Sequence, residues 1–265
     1  MARTHAAGMV VGVALAAVSV IGLPRLLRRQ AAIARRRIGK PWGEQAVDAD
    51  RTWCGDYGGA PVEMLVMGDS IAAGLGVGRR KETPGARIAK GLARAVRRPV
   101  RLHTGAVVGA ESSDLAAQLD ALPPGYRADV AIVIVGGNDV THRVPVSVSA
   151  GHVRSAVMRL REQRTAVVVG TCPDLGALRA VPQPLRTVAS RLSRRLAAAQ
   201  AEIAAEAGAS VVALGRTVGP HFFAQPDEMF SVDRFHPSAL GYRRTAEALL
   251  PAVIAALSSE GAASS

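Results

Sequence analysis

Asp129-Val130-Ala131-Ile132-Val133-Ile134-Val135-Gly136-Gly137-Asn138-Asp139 is the stretch that decides the fold. Its first seven residues are apolar and mostly β-branched after a single Asp, the composition of a strand buried on both faces. Two glycines then break the strand, and an amide and a carboxylate follow. The run 165–170 has the same character. Shorter apolar runs stand at 63–67, 100–104 and 210–214. Helical spacing fills the intervals near 84–97, 113–121, 148–163 and 184–207, and again near 238–257. Pro84 suits an early helical position, Ser113 or Asp114 a helix start, and Gly208 a helix stop. Strands alternating with helices predict an α/β domain: a parallel sheet, right-handed crossovers and helices on both faces. In such sheets functional groups gather at the carboxyl ends of the strands, at the topological switch point.

Those strand ends carry the chemistry. The first leads into Gly68-Asp69-Ser70-Ile71 and then Ala72-Ala73-Gly74. A serine where a buried strand turns into a helix is held at the mouth of the sheet, within reach of free backbone N–H groups. No Gly-x-Ser-x-Gly elbow surrounds Ser70, so the α/β-hydrolase pattern is absent. The second strand leads towards Gly105 and Gly109, where a glycine permits close backbone approach. Asn138, after the third, can donate its N–H₂ to a developing oxyanion without competing as a base. Asp233-Arg234-Phe235-His236-Pro237 precedes the last helix. There Asp233 can accept from one imidazole nitrogen of His236, leaving the other to take a proton from Ser70. Taken singly, each piece is as readily a turn or a helix cap. His5, His103, His142, His152 and His221 lack such a setting.

Together, and in this order, Gly68-Asp69-Ser70, Gly109, Gly136-Gly137-Asn138-Asp139 and Asp233-Arg234-Phe235-His236 resemble the four blocks of the SGNH hydrolases, the GDSL-type esterases and lipases. Ile71 stands where Leu is commonest. The resemblance implies a flavodoxin-like three-layer α/β/α sandwich with a five-stranded parallel sheet over residues 62–257. It also implies a Ser70/Asp233/His236 triad, and an oxyanion hole from Ser70, Gly109 and Asn138. The implied reaction is hydrolysis of a carboxylic ester, lipid-derived or of small acyl groups, through an acyl-serine, with no metal or organic cofactor. An O-acyltransferase or carbohydrate deacetylase, and a non-catalytic binding protein on the same fold, stay open. The loops 139–147, 171–184 and 215–232 would line the mouth; their Thr141, His142, Pro173, Leu175, Leu178, Phe222, Phe223, Met229 and Phe230 suggest a partly apolar acyl site.

The net charge of +12 belongs to the N-terminus. Residues 1–40 hold eight basic residues and no acid, leaving 25 basic against 21 acidic beyond them. With no interleaving of aromatic and basic residues, a nucleic-acid partner is not expected. Ala6 to Leu23 is an uncharged run of 18 residues, followed by six arginines in thirteen. It reads as an uncleaved membrane anchor with an Arg-rich flank (1–40), whose charge places the domain on the cytoplasmic face. Export, common among such hydrolases, stays open. Residues 41–61 read as a linker and 258–265 as a flexible tail. Cys54 and Cys172 are too few for a disulfide framework or a zinc site, and are either free or joined to each other.

Overall fold

The computed structural model describes residues 22–263. Helix α1 covers 22–38. There follow β1 (Arg51–Trp53), β2 (Val62–Gly68), α2 (Ser70–Ala73), α3 (Pro84–Val96) and β3 (Val100–Thr104). Next come α4 (Leu115–Asp120), β4 (Val130–Ile134), α5 (Gly137–His142), α6 (Val146–Glu162) and β5 (Ala166–Gly170). The chain then forms α7 (Leu185–Glu206), β6 (Ser210–Val212), three short helices α8 (Leu214–Thr217), α9 (Gly219–Ala224) and α10 (Pro226–Met229), and α11 (Ala239–Ala263). The sheet order is β1-β3-β2-β4-β5-β6, and every pair is parallel except β1 with β3. The five parallel strands are those predicted. The sixth comes from the stretch read as a linker, where Arg51–Trp53 pairs with Val100–Leu102 along the sheet's edge.

Alternation within each strand builds two cores. Met64 and Val66 of β2, Ile132 and Ile134 of β4 and Val168 of β5 face Ile88 and Leu92 of α3 and Leu249 and Val253 of α11. Leu65 and Met67, Ala131 and Val133, and Val167 and Val169 face the opposite layer, with Leu115 of α4 and Val153, Val157 and Leu160 of α6. Burying one such aliphatic side chain stabilises the fold by about 1.5–3 kcal/mol, which explains why the middle strands carry almost no polar residue. Thr83 accepts from the Ala86 N–H at 3.2 Å and Pro84 opens the first turn, fixing where α3 begins.

At the carboxyl ends of the strands two buried glutamines bond the backbone. The Gln118 carboxamide accepts from the Gly68 N–H at 2.9 Å and donates to the Gly68 carbonyl at 2.8 Å. Gln200 donates to the Val135 carbonyl at 3.0 Å and accepts from the Cys172 N–H at 2.7 Å. Both satisfy buried backbone groups at the strand ends, and the Gly68 carbonyl also accepts from the Val107 N–H at 3.0 Å.

The expectation of a membrane anchor and a cytoplasmic-face domain is corrected. Among the described residues no helix is long and apolar enough to cross a membrane. All but the last two residues of the run Ala6–Leu23 lie outside the described residues. The Arg-rich flank is α1, and it packs on the protein. Ala34 and Ile38 join the cluster of Val140, Cys172, Leu175, Leu178 and Leu196. Gln30 is buried, bonds the Gln183 carbonyl and accepts from the Leu185 N–H. Charge counting along a sequence cannot tell an arginine facing lipid headgroups from one on the outer side of a docked helix. The last helix runs through Ala263, so residues 258–263, expected in the tail, are helical. Cys54 and Cys172 are free thiols.

Candidate active site

The crevice opens where β2 has one neighbour on each side, β3 and β4, which is the switch point of the sheet. Gly68 ends β2 with φ 127°, and a Cβ there would lie 1.8 Å from the Ile134 carbonyl oxygen. Only glycine lets the two strand ends approach so closely. The Asp69 carboxylate accepts from the Ile71 N–H at 2.9 Å and caps the turn that carries Ser70. The Tyr242 hydroxyl donates to the Leu75 carbonyl at 2.6 Å, tying that turn to α11.

Opposite stands the turn 231–238. The Ser231 N–H donates to the His236 carbonyl and the Ser238 N–H to the Met229 carbonyl, each at 2.8 Å, closing a tight loop. Gly76 supports it from below: with φ 112°, its missing Cβ would sit 2.6 Å from the Pro237 carbonyl and 2.9 Å from the His236 Cβ. The loop sets His236 Nε2 3.0 Å from Ser70 Oγ, and His236 Nδ1 2.6 Å from Asp233 Oδ2. An ionised carboxylate only accepts, so the shared proton sits on Nδ1 and the Nε2 lone pair faces the serine hydroxyl. Asp233 Oδ1 accepts from Ser231 Oγ at 3.1 Å and from the N–H groups of Phe235 and His236 at 2.9 Å. Burial pushes the Asp233 carboxyl up, but the bonds from His236 and from those two N–H groups outweigh it and hold it below the usual carboxylate range. Asp69 goes the other way. Burial pushes it up to about 6, against hydrogen bonds from the Ile71 and Gly137 N–H groups.

Asn138, in the first turn of α5, donates to the Ala110 carbonyl at 2.9 Å, which fixes its amide and leaves a second N–H free. It shares a pocket wall with Ser70. Gly109 occupies an exposed turn beside Ala110, with φ 86° and open space where a side chain would project. It is not among the pocket's lining residues. Thus Ser70, His236 and Asp233 are joined by hydrogen bonds, Asn138 faces the same space, and Gly109 stands next to the residue that orients Asn138.

The pocket has a volume of about 70 Å³ and an apolar interior formed by Leu175, Leu178, Leu214, Val218, Phe222 and Phe230. Loops 171–184 and 215–232 supply most of it. Loop 139–147 contributes none of the lining, Met229 is buried elsewhere in the core, and Phe223 points outwards. Among the described residues no group of three or more His, Cys, Asp or Glu could hold a metal ion.

Three supporting residues escaped the sequence reading. Asp139 is buried and accepts from the Ser112 N–H at 3.0 Å, joining the second strand-end loop to the third. Asp69 caps the serine turn. Both lie inside the motifs, where an acid at a helix start is a signal that can be recognised. Trp42, whose indole N–H donates to Ser231 Oγ at 2.8 Å, lies 189 positions away in sequence and gave none.

Residues 66–244 match a family model described as the GDSL-like lipase/acylhydrolase family. A GDSL-like esterase of Mycobacterium tuberculosis is 40% identical over 251 residues, covering 89% of this chain and 78% of that protein. Among solved structures, a lipase/acylhydrolase from Enterococcus faecalis superimposes with a TM-score of 0.58 at 18% identity, covering 73% of this chain and 96% of its own. An acetylxylan esterase from Geobacillus stearothermophilus, solved as a catalytic mutant, gives 0.57 at 19%, covering 74% and 96%. The solved structures share the fold.

Proposed function

We propose, since the chain belongs to the GDSL-like lipase/acylhydrolase family and is thereby a carboxylic ester hydrolase, that it cleaves short- to medium-chain acyl esters through an acyl-Ser70 intermediate. The observation that carries this reading is the unbroken chain Ser70 Oγ–His236 Nε2 and His236 Nδ1–Asp233 at the mouth of an apolar pocket. His236 takes the Ser70 proton as the hydroxyl attacks the ester carbonyl. Asp233, ionised and held by three further donors, keeps the imidazole in the useful tautomer and stabilises its positive charge. The free N–H of Asn138 and the Ser70 N–H receive the oxyanion, with the Gly109 N–H as a third candidate donor. His236 then protonates the departing alcohol, and water attacks the acyl-serine by the same route.

Pocket size argues for chain length. Each methylene that finds apolar surface gains about 0.8 kcal/mol, and the gain ends where the chain meets water. A cavity of about 70 Å³ saturates after a few carbons. In an aryl-ester series kcat/KM is therefore expected to rise over the first few carbons and then level. A steady rise to long chains would refute the chain-length claim and favour a true lipase. Ser70→Ala is expected to abolish both turnover and labelling by a fluorophosphonate. Labelling that survives in the mutant would remove Ser70 from the mechanism. Acylated sugar formed faster than free acid, when a sugar acceptor is added, would make the enzyme an acyltransferase.

A further inference from the structure

We propose that Trp42 is a positioning residue for the Ser70–His236–Asp233 chain, acting through Ser231; the proposal rests on the triad reading given above. The indole N–H of Trp42 lies 2.8 Å from Ser231 Oγ, and Ser231 Oγ lies 3.1 Å from Asp233 Oδ1. An indole can only donate and an ionised carboxylate can only accept, so the polarity of the relay is fixed. Trp42 occupies a lone pair of the Ser231 hydroxyl, and the single hydroxyl proton is left to point at Asp233. Without that donor the hydroxyl is free to rotate, and one of the bonds that orient the carboxylate becomes optional.

The segment bearing Trp42 is pinned on both sides. Before it, α1 bonds the start of α7 through Gln30, and Arg37 donates to the Ala180 carbonyl at 3.5 Å. After it, β1 joins the sheet edge, and the Asp50 carboxylate accepts from the Thr104 N–H at 2.9 Å. Trp42 is half-buried and packs beside Gly78. A side chain held this way contributes to a preorganised site, because its ordering is complete before substrate arrives. The stretch that the sequence presents as a linker thus braces the acid of the triad from the far side of the loop.

The test uses the full chain and a short aryl ester. Trp42→Phe keeps the ring and removes the donor; Ser231→Ala removes the relay; Ser231→Thr keeps the hydroxyl. Trp42→Phe and Ser231→Ala are each expected to lower kcat about three- to tenfold, the scale of one hydrogen bond, with KM within about twofold. The double variant is expected to be no slower than Ser231→Ala, because Trp42 acts only through the hydroxyl. Ser231→Thr is expected to keep the wild-type kcat. Wild-type kcat in Trp42→Phe, losses that multiply in the double variant, or a change confined to KM would each overturn the proposal. If Trp42→Phe fails to fold, the comparison of Ser231→Ala with Ser231→Thr decides: equal rates overturn it. His236→Ala run alongside separates the two levels. If it is inactive, a failure at Trp42 concerns positioning alone; if it turns over like wild type, the triad reading and the proposal fall together.

Discussion

Gly76→Ala is the most economical perturbation of the site, because it replaces neither the nucleophile nor the base. The added Cβ would lie 2.6 Å from the Pro237 carbonyl and 2.9 Å from the His236 Cβ. A carbon–oxygen contact relaxes to about 3.3 Å, so one side must retreat by about 0.7 Å. If the turn 231–238 is the side that yields, it carries His236 with it. Moved along the Ser70 direction by that amount, the 3.0 Å hydrogen bond to Ser70 would open past the range in which proton transfer is assisted. Misplacements of about 1 Å cost about a hundredfold, so kcat is expected to fall roughly ten- to a hundredfold. KM should change less than kcat, because of that turn only Phe235 and Pro237 line the pocket, whose apolar interior comes mostly from other segments. Alanine at φ 112° also adds strain of about 1–3 kcal/mol, visible as a lower Tm. Steady-state kinetics on the folded fraction, with thermal unfolding in parallel, measures both effects. Gly151→Ala is the control: it sits in α6 with nothing within 4 Å, and should keep kcat and gain up to about 1 kcal/mol. If Gly76→Ala loses stability yet keeps its kcat, the His236 geometry does not set the rate.

Asn138→Ala is expected to lower kcat by about a hundred- to a thousandfold with KM nearly constant, since the charge it meets develops in the transition state; a change in KM alone would make Asn138 a substrate-binding residue. Asp69 bears on stability. Its folded pKa of about 6 exceeds the roughly 3.9 of an unfolded chain, so its contribution is fully present below about pH 4 and is lost as pH rises through 6. Relative to Asp69→Asn, which cannot ionise, the wild type should therefore lose about 2–3 kcal/mol between pH 4 and 7 in denaturant unfolding. Parallel stability profiles for the two proteins would contradict that.

What the sequence disclosed follows from which interactions are local. The strands buried on both faces, 130–134 and 166–170, announce themselves because no polar residue is tolerated there. Ser70, Asn138 and the Asp233/His236 turn were legible because each sits at a strand end or before a helix, where the topology converges. The helices at 214–229 were not, since three short turns broken by Gly219, Pro220 and Pro226 leave no periodicity. Gly109 fits its motif in sequence, yet in the fold it lies in an exposed turn. The N-terminal reading failed for a different reason. Residues 22–53 have no core of their own, and their structure is dictated by surfaces far along the chain: Leu185 and Ser231, 155 and 189 positions from their partners Gln30 and Trp42, and the β3 edge that pairs with Arg51–Trp53.

A carboxamide carries the same pair of groups as a peptide unit, one donor and one acceptor in a plane. At Gly68, and between Val135 and Cys172, a glutamine therefore serves as an extra rung of a sheet that has run out of strand. Those rungs hang from α4 and α7, in the outer layer. The width of the crevice is thus a coordinate of the helices as much as of the strands. A helix that slid along the sheet would carry its rung with it, and the displacement would arrive one residue from Asp69 in one case and one from Pro173 in the other. The geometry of the candidate site is gauged from the molecule's exterior inwards.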